Sequence, residues 1–321
     1  MLEDAVERLS PVVDEVVIST SLPLARAITE SGVVPADTIL GEPARRGTLG
    51  ALSWTVANLI GKGYSDAAVA VVTADHTIGQ EERFKSAAAA ALRAAATLGG
   101  IVTLGIRPTR PETGYGYIET EAPLQEVDGW EISRSLAFRE KPDELTAAAY
   151  MISGRHLWNA GMFFFTISGF MTEMKQVAAA EHDLVLRMAE AIGAGDVDRA
   201  AGIFLRLPDT SIDYALLEKA QNVFVMPVDF PWDDVGAWDS LDRTKASDGE
   251  GNVTFGPAYK LDVNSCIVFN DDPERTVAVL GLQDVVVVNT KHAVLVCHKS
   301  QAQQVKRLVA MIAEEKEKSG G

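Results

Sequence analysis

The sequence predicts a large α/β domain with a mostly parallel sheet, followed by a small β-rich domain that ends in a helix. Three observations carry this. From Leu2 to about Arg243, short apolar runs alternate with helical stretches. Beyond Lys245, β runs follow one another at short, regular intervals. Between the two parts lies Ala246-Ser-Asp-Gly-Glu-Gly-Asn252, a polar, glycine-rich stretch that fits a linker. The expected division is therefore 1–245 and 252–321.

In chain order, Leu2 to Leu9 carries leucine and valine at helical spacing, so a helix comes first where a doubly wound domain usually opens on a strand. Glu15-Val-Val-Ile-Ser19 reads as a buried strand, Ser53 to Ile60 as a helix and Ala68 to Thr73 as a second buried strand. The alanine-rich run from Glu81 to Leu98 is helical, and Ile101 to Ile106 is a third strand. After the linker come Ser265–Phe269, Thr276–Leu280, Val285–Val288 and Ala293–Val296, then a helix from about Gln301 to Lys316. That spacing suits a small sandwich and a few coils of a β-helix equally.

The totals exclude some functions. A formal net charge of −16 argues against sequence-independent nucleic-acid binding, which rests on lysine and arginine neutralising phosphates. Cys266 and Cys297 are too few for a disulfide framework and suit a reducing cytosol. His292, Cys297 and His298 read as residues of a β surface rather than metal ligands. No apolar run approaches the roughly 20 residues of a membrane span, and Met1-Leu2-Glu3-Asp4 does not resemble a signal peptide. The expectation is a cytoplasmic protein. Walker, dinucleotide-binding, serine-hydrolase elbow and His-Glu-x-x-His motifs are all absent.

Chemistry is suggested by six segments. In Thr73-Ala-Asp75-His76 an apolar strand runs into a carboxylate, and ligands of open α/β sheets sit at the carboxyl ends of strands. Trp232-Asp233-Asp234-Val-Gly236-Ala-Trp238 supplies further acids; Mg²⁺ is typically held by one or two carboxylates plus substrate phosphates, so Asp75 and Asp234 are the expected pair. Taken singly, each aspartate also reads as a turn or helix cap. In Phe138-Arg-Glu140-Lys141-Pro142, Glu140 can accept from hydroxyls and Lys141 can pair with a phosphate. Gly114 and Gly116 would let backbone approach a ligand, and Asn159, in Trp158-Asn-Ala-Gly-Met-Phe163, could bind sugar hydroxyls. In Gly41-Glu42-Pro-Ala-Arg-Arg46-Gly-Thr48, Glu42 could accept the N1–H and N2–H of guanine, and a helix start at Thr48 could receive phosphate.

The order of these segments, with Ser211-Ile-Asp-Tyr-Ala215 added, resembles mannose-1-phosphate guanylyltransferase over nearly the whole chain. The resemblance implies a Rossmann-like nucleotidyltransferase domain over 1–245, a β-helix-like domain over 252–321, and transfer of GMP from GTP to mannose 1-phosphate with Mg²⁺. It also implies roles: Asp75 and Asp234 hold the metal, and Lys141 positions the sugar phosphate. Gly116, Glu140 and Asn159 contact the sugar, while Glu42, Arg46 and Thr48 lie on the nucleotide side. Asp213 would support the pocket or reach a hydroxyl.

Two departures qualify the expectation. Leu2 corresponds to the helix after the family's glycine-rich loop, so the resemblance implies a nucleotidyltransferase domain truncated at its N-terminus and leaves open whether the chain turns over without that loop. Gly47 and Leu49-Gly50-Ala51 replace the family's usual residues on the nucleotide side, leaving base and sugar selectivity open. A non-catalytic sugar-nucleotide-binding subunit, or a transferase for another sugar 1-phosphate, are the competing readings. Homo-oligomerisation is compatible with all three.

Overall fold

Six consecutive buried residues, Ile101–Ile106, form the strand around which the larger part of the molecule is built. The computed structural model describes residues 1–319. In chain order its elements are α1 (Leu2–Leu9), β1 (Ile18–Ser21), α2 (Leu22–Ser31), β2 (Ile39–Glu42), α3 (Gly47–Gly61), β3 (Ala68–Val71), β4 (Thr77–Ile78), α4 (Glu81–Leu98) and β5 (Ile101–Ile106). Next come β6 (Gly116–Val127), β7 (Trp130–Glu140), α5 (Glu144–Ser153), β8 (His156–Thr166), α6 (Ile167–Val177), α7 (Ala179–Gly193), α8 (Val197–Phe204) and β9 (Val223–Val228). The chain then continues through β10 (Trp232–Asp233), α9 (Leu241–Thr244), β11 (Val253–Phe255), β12 (Ala258–Leu261), β13 (Ile267–Asn270), β14 (Val277–Leu280), β15 (Val285–Asn289), β16 (Val294–His298) and α10 (Val305–Ser319).

Two compact units result. The first comprises Met1–Ala74 and Ile78–Pro231; the second comprises Asp75–Thr77 and Trp232–Gly321. In the first unit a six-stranded sheet runs in the order β3-β8-β5-β9-β7-β6. The sheet is mixed rather than mostly parallel: β5 and β9 are parallel, whereas β8 is antiparallel to β3 and β5, and β7 to β6 and β9. One cause is local. Asp128 and Gly129 both take positive φ and close a two-residue turn between the paired residues Val127 and Trp130, and such a hairpin forces its strands antiparallel.

The first expected strand also moves. Pairing begins at Ile18 and runs in parallel register with Ile39–Glu42, making a separate two-stranded sheet, so Glu15–Val17 precede the strand. Likewise β3 lies at the sheet edge and is only half-buried, not a buried central strand. The helix expected at Ser53–Ile60 starts earlier, at Gly47.

Helices cover the sheet for reasons visible in their composition. Six alanines of α4, from Ala87 to Ala95, are fully buried, and their small side chains allow a helix to lie close against strands. On α3, Leu49, Trp54 and Val56 join Phe163, Phe165, Phe170 and Met188 in one core, with Trp54 edge-on to Phe204 at 5.5 Å.

The second unit resolves the choice between a sandwich and coils. Val253 pairs with Ile267, which pairs with Val286, all in parallel register; on another face Ala258 pairs with Val277. Equivalent residues of successive turns stack, which is β-helix architecture. β16 then runs antiparallel to β15. His298 and Cys297 are residues of this last strand, and both cysteines are free thiols. Among the described residues no helix is long and apolar enough to cross a membrane.

An asparagine ladder holds the turns of the coil. Asn270 donates from Nδ2 to the carbonyls of Pro257 (2.8 Å) and Arg275 (2.9 Å), and its Oδ1 accepts from Asn289 Nδ2 (2.8 Å). Both side chains are buried. Leucine at 270 is expected to strand those partners and lower stability by about 3 kcal/mol, read by urea denaturation.

Candidate active site

In the first unit, four of the residues proposed from sequence come together by strand pairing. Gly116 opens β6 and is paired with Glu140, which ends β7. Asn159 lies on β8, whose Trp158 pairs with Tyr117. A Cβ on Gly116 would lie 2.6 Å from Glu140 Oε2 and 3.4 Å from Asn159 Cβ, so glycine is what lets the two side chains crowd that backbone. Lys141 Nζ reaches Glu140 Oε1 at 2.7 Å, and its backbone N–H donates to the Tyr115 carbonyl at 3.2 Å.

Lys141 has φ +48°, a left-handed conformation that side chains other than glycine seldom adopt. Strain of this kind persists where the surroundings hold it, and it collects at binding and catalytic positions. The Lys141 side chain is 60 % exposed, while the Glu140 carboxylate it bonds is 14 % exposed. The hydrogen bond to Glu140 raises the lysine above its usual range, so it stays cationic. Behind the pair, Arg110 holds the approach to β6: it bonds Glu112 Oε2 at 3.0 Å and lies over the Trp158 ring at 5.0 Å.

Asp213, which the sequence left as a supporting residue, belongs to this cluster. It opens a π-helical turn, Asp213–Leu217, and its Oδ1 accepts from Asn159 Nδ2 at 3.2 Å, while Asn159 Oδ1 accepts from Thr103 Oγ1 at 3.1 Å. Burial, then the neighbouring Glu140 charge, push the carboxyl up to about 6; Lys141 acts the other way. Because the folded pKa lies above the unfolded one, the folded state binds the proton more tightly, and stability is lost as pH rises from about 4 through 6. Asp213→Asn is expected to remove that slope and to add about 2 kcal/mol at pH 7.5 and little at pH 4, measured by denaturation at both pH values.

On the proposed nucleotide side, the structure gives the three residues different surroundings. Glu42 ends β2 and accepts from Ser19 Oγ at 3.3 Å; burial raises its carboxyl above the usual range. Arg46 donates from Nη2 to the Leu205 carbonyl at 2.9 Å. The Thr48 hydroxyl accepts from the Ile212 N–H at 2.9 Å. Between them Gly47 has φ +59°, and a Cβ there would fall 2.2 Å from the Thr210 carbonyl oxygen. The start of α3 is therefore docked on segment 205–212 by Arg46, Gly47 and Thr48 together, an arrangement that single-motif reasoning could not reach.

Asp75 and Asp234 both fall in the second unit, as does His76. Trp232 Nε1 donates to His76 Nδ1 at 3.2 Å, and the rings meet edge-on at 5.3 Å. Burial lowers the imidazole, so it is neutral, although Asp75, Asp234 and Asp233 all act to raise it. One half-buried imidazole thus lies near both proposed metal carboxylates. The adjacent aspartates have different partners. Asp233 is buried, receives Arg243 Nε at 2.6 Å and accepts from the Val235 N–H at 2.9 Å. The Asp234 carboxylate accepts from the Gly236 N–H at 3.0 Å, and a Cβ on Gly236 would lie 2.7 Å from Asp234 Oδ2. Val235, between them, has φ +49°, a strained conformation for a β-branched residue. Among the described residues there is no group of three or more histidine, cysteine or carboxylate side chains placed to hold a metal, so any ion here would draw on one or two carboxylates.

A mixed sheet that gathers glycine, carboxylate, lysine and asparagine at one place, followed by a stacked coil, defines a class, and sequence comparison agrees with it. A family model for nucleotidyl transferase matches residues 16–250, and the chain belongs to that family. Residues 256–312 match a MannoseP isomerase/GMP-like beta-helix domain. The chain is similar to the alginate biosynthesis protein AlgA of Pseudomonas aeruginosa, at 38% identity over 87% of this chain and 57% of that protein. It is also similar to a mannose-1-phosphate guanylyltransferase of Escherichia coli, at 34% identity over 86% of this chain and 58% of that one. The chain thus spans somewhat more than half the length of these curated relatives. A crystal structure from Thermus thermophilus, described as a mannose-1-phosphate geranyltransferase, superposes with a TM-score of 0.82 at 33% identity, covering 97% of this chain and 89% of that one.

Proposed function

We propose that the chain transfers GMP from GTP to mannose 1-phosphate, giving GDP-mannose and pyrophosphate. The observation that carries this reading is the cluster of Gly116, Glu140, Lys141, Asn159 and Asp213, whose acceptors and cation suit a sugar bearing a phosphate. A phosphate oxygen of mannose 1-phosphate attacks the α-phosphorus of GTP. The bond from that phosphorus to the bridging oxygen breaks, and pyrophosphate leaves with the electron pair. The nucleophile is already anionic, so no base is required, and alignment with charge neutralisation makes up the catalysis.

Lys141 pairs with the sugar phosphate, and Glu140, Asn159, Asp213 and the Gly116 backbone bind sugar hydroxyls. Glu42 faces the guanine donors, while Arg46 and Thr48 hold the loop that carries it. Mg²⁺ is typically held by one or two carboxylates, so Asp75, which is exposed, and Asp234, which is half-buried, would hold the ion, which would neutralise phosphate charge when bound. Two free thiols accord with a reducing compartment, and we assign the reaction to the cytoplasm.

A panel of GTP, ATP and UTP against mannose 1-phosphate and glucose 1-phosphate tests the assignment. Product is expected with GTP and mannose 1-phosphate in preference to every other pair; a preference for glucose 1-phosphate or another nucleotide would replace it.

A further inference from the structure

One polar side chain interrupts the buried core beneath the cluster of Gly116, Glu140 and Asn159. Thr103 is fully buried in β5, where every other residue except Gly105 is apolar. Its Oγ1 donates toward two acceptors, the Met162 carbonyl at 2.9 Å and Asn159 Oδ1 at 3.1 Å, and its single proton is shared between them. Both acceptors belong to β8, where the ladder is irregular. Between the pairs Thr103–Phe163 and Gly105–Asn159, β5 has only Leu104, whereas β8 has Ala160, Gly161 and Met162. The strand β8 therefore bulges, and a bulge re-aims a side chain. Gly161 permits it with φ +67°, the left-handed conformation that glycine adopts freely.

The bulge turns the Gly161 N–H back onto Asn159 Oδ1 at 3.1 Å. A backbone N–H can only donate, so this contact fixes which end of the amide is oxygen. Oδ1 then faces Gly161 and Thr103, and Nδ2 faces Asp213 Oδ1 at 3.2 Å. An amide oxygen has two lone pairs, and these two donors occupy both. What Asn159 has left for a ligand is its second N–H.

We propose that Thr103 is a positioning residue that holds Asn159 as a donor, so that the sugar hydroxyl meeting this amide must accept from it. This rests on the reading that the cluster binds a sugar phosphate. The Glu140 carboxylate, across Gly116, offers acceptors only, so the two side chains make opposite demands on sugar hydroxyls.

Thr103→Val and Thr103→Ser separate the hydroxyl from the packing. Valine keeps the shape and removes the donor; serine keeps the donor and removes a methyl group from the core. At saturating GTP, Thr103→Val is expected to raise KM for mannose 1-phosphate about tenfold, with kcat and KM for GTP within about twofold of wild type. Thr103→Ser is expected to stay within about twofold of wild type in all three. In the protein without ligands, the side-chain amide NMR signal of Asn159, identified by its loss in Asn159→Ala, should move in Thr103→Val and stay in place in Thr103→Ser. A role in packing alone predicts the reverse order, because only serine leaves a cavity. An unmoved Asn159 signal or an unchanged KM in Thr103→Val, or a serine variant that behaves as the valine one does, would each overturn the proposal. If the wild-type chain makes no GDP-mannose, the transfer reading fails and the amide signals alone decide the role of Thr103.

Discussion

Asparagine at 234 is expected to lower the rate of GMP transfer about a thousandfold, with the fold intact. The substitution keeps volume and one oxygen but removes the charge proposed to hold Mg²⁺ with Asp75. The amide oxygen can still accept from the Gly236 N–H, so the turn through the strained Val235 is preserved. Asparagine at 233 makes the control. That carboxylate is buried against Arg243, whose chain is also bonded to Asp239 at 2.8 Å, and its loss is expected to cost about 3 kcal/mol of stability by leaving a partly buried guanidinium short of charge. Steady-state rates and denaturation midpoints of the two variants therefore separate chemistry from architecture: Asp234→Asn should lose turnover at normal stability, and Asp233→Asn should lose stability first. Equal losses of stability in both would remove the metal assignment from Asp234.

Methionine at 141 is expected to reduce kcat/KM for mannose 1-phosphate by a factor of about 10² to 10³, with most of the change in KM. The side chain keeps its length and loses only the cation. Since 60 % of it is exposed and its structural contact is the single ion pair to Glu140, stability should change by less than about 1 kcal/mol. The variant also leaves Glu140 without its partner, which withdraws a positive influence from Asp213 as well. KM for GTP should be little affected. A fall in kcat alone at constant KM for the sugar phosphate would place Lys141 at the leaving group instead of the acceptor.

The sequence shows some of this plainly and hides the rest for physical reasons. Helical spacing at Leu2–Leu9 and the alanine run at Glu81–Leu98 mark helices with matching bounds, because local periodicity sets them. Ile101–Ile106 is legible because a strand buried on both faces reads as a near-continuous apolar run, broken here only by Thr103 and Gly105. Strand direction is not local, so the mixed sheet escapes a periodicity reading, although Asp128-Gly129 between two β runs is a hairpin signal in the residues themselves. Within the site, Glu140, Lys141 and Gly116 stand in recognisable motifs, whereas the role of Asp213 depends on Asn159, 54 positions away in the chain. The same holds for Arg46 and Thr48, whose partners lie near 205 and 212 and cannot be inferred from the loop that contains them. His76 beside Trp232 is a third case: each residue lies in a quoted motif, and only folding joins them.

The most direct measurement is phosphorus NMR of the protein incubated with GTP, mannose 1-phosphate and Mg²⁺, repeated from GDP-mannose and pyrophosphate in the reverse direction. Appearance of GDP-mannose with an equal amount of pyrophosphate, and of GTP in reverse, is the predicted result; no exchange in either direction, together with no detectable binding of GDP-mannose, would contradict the account.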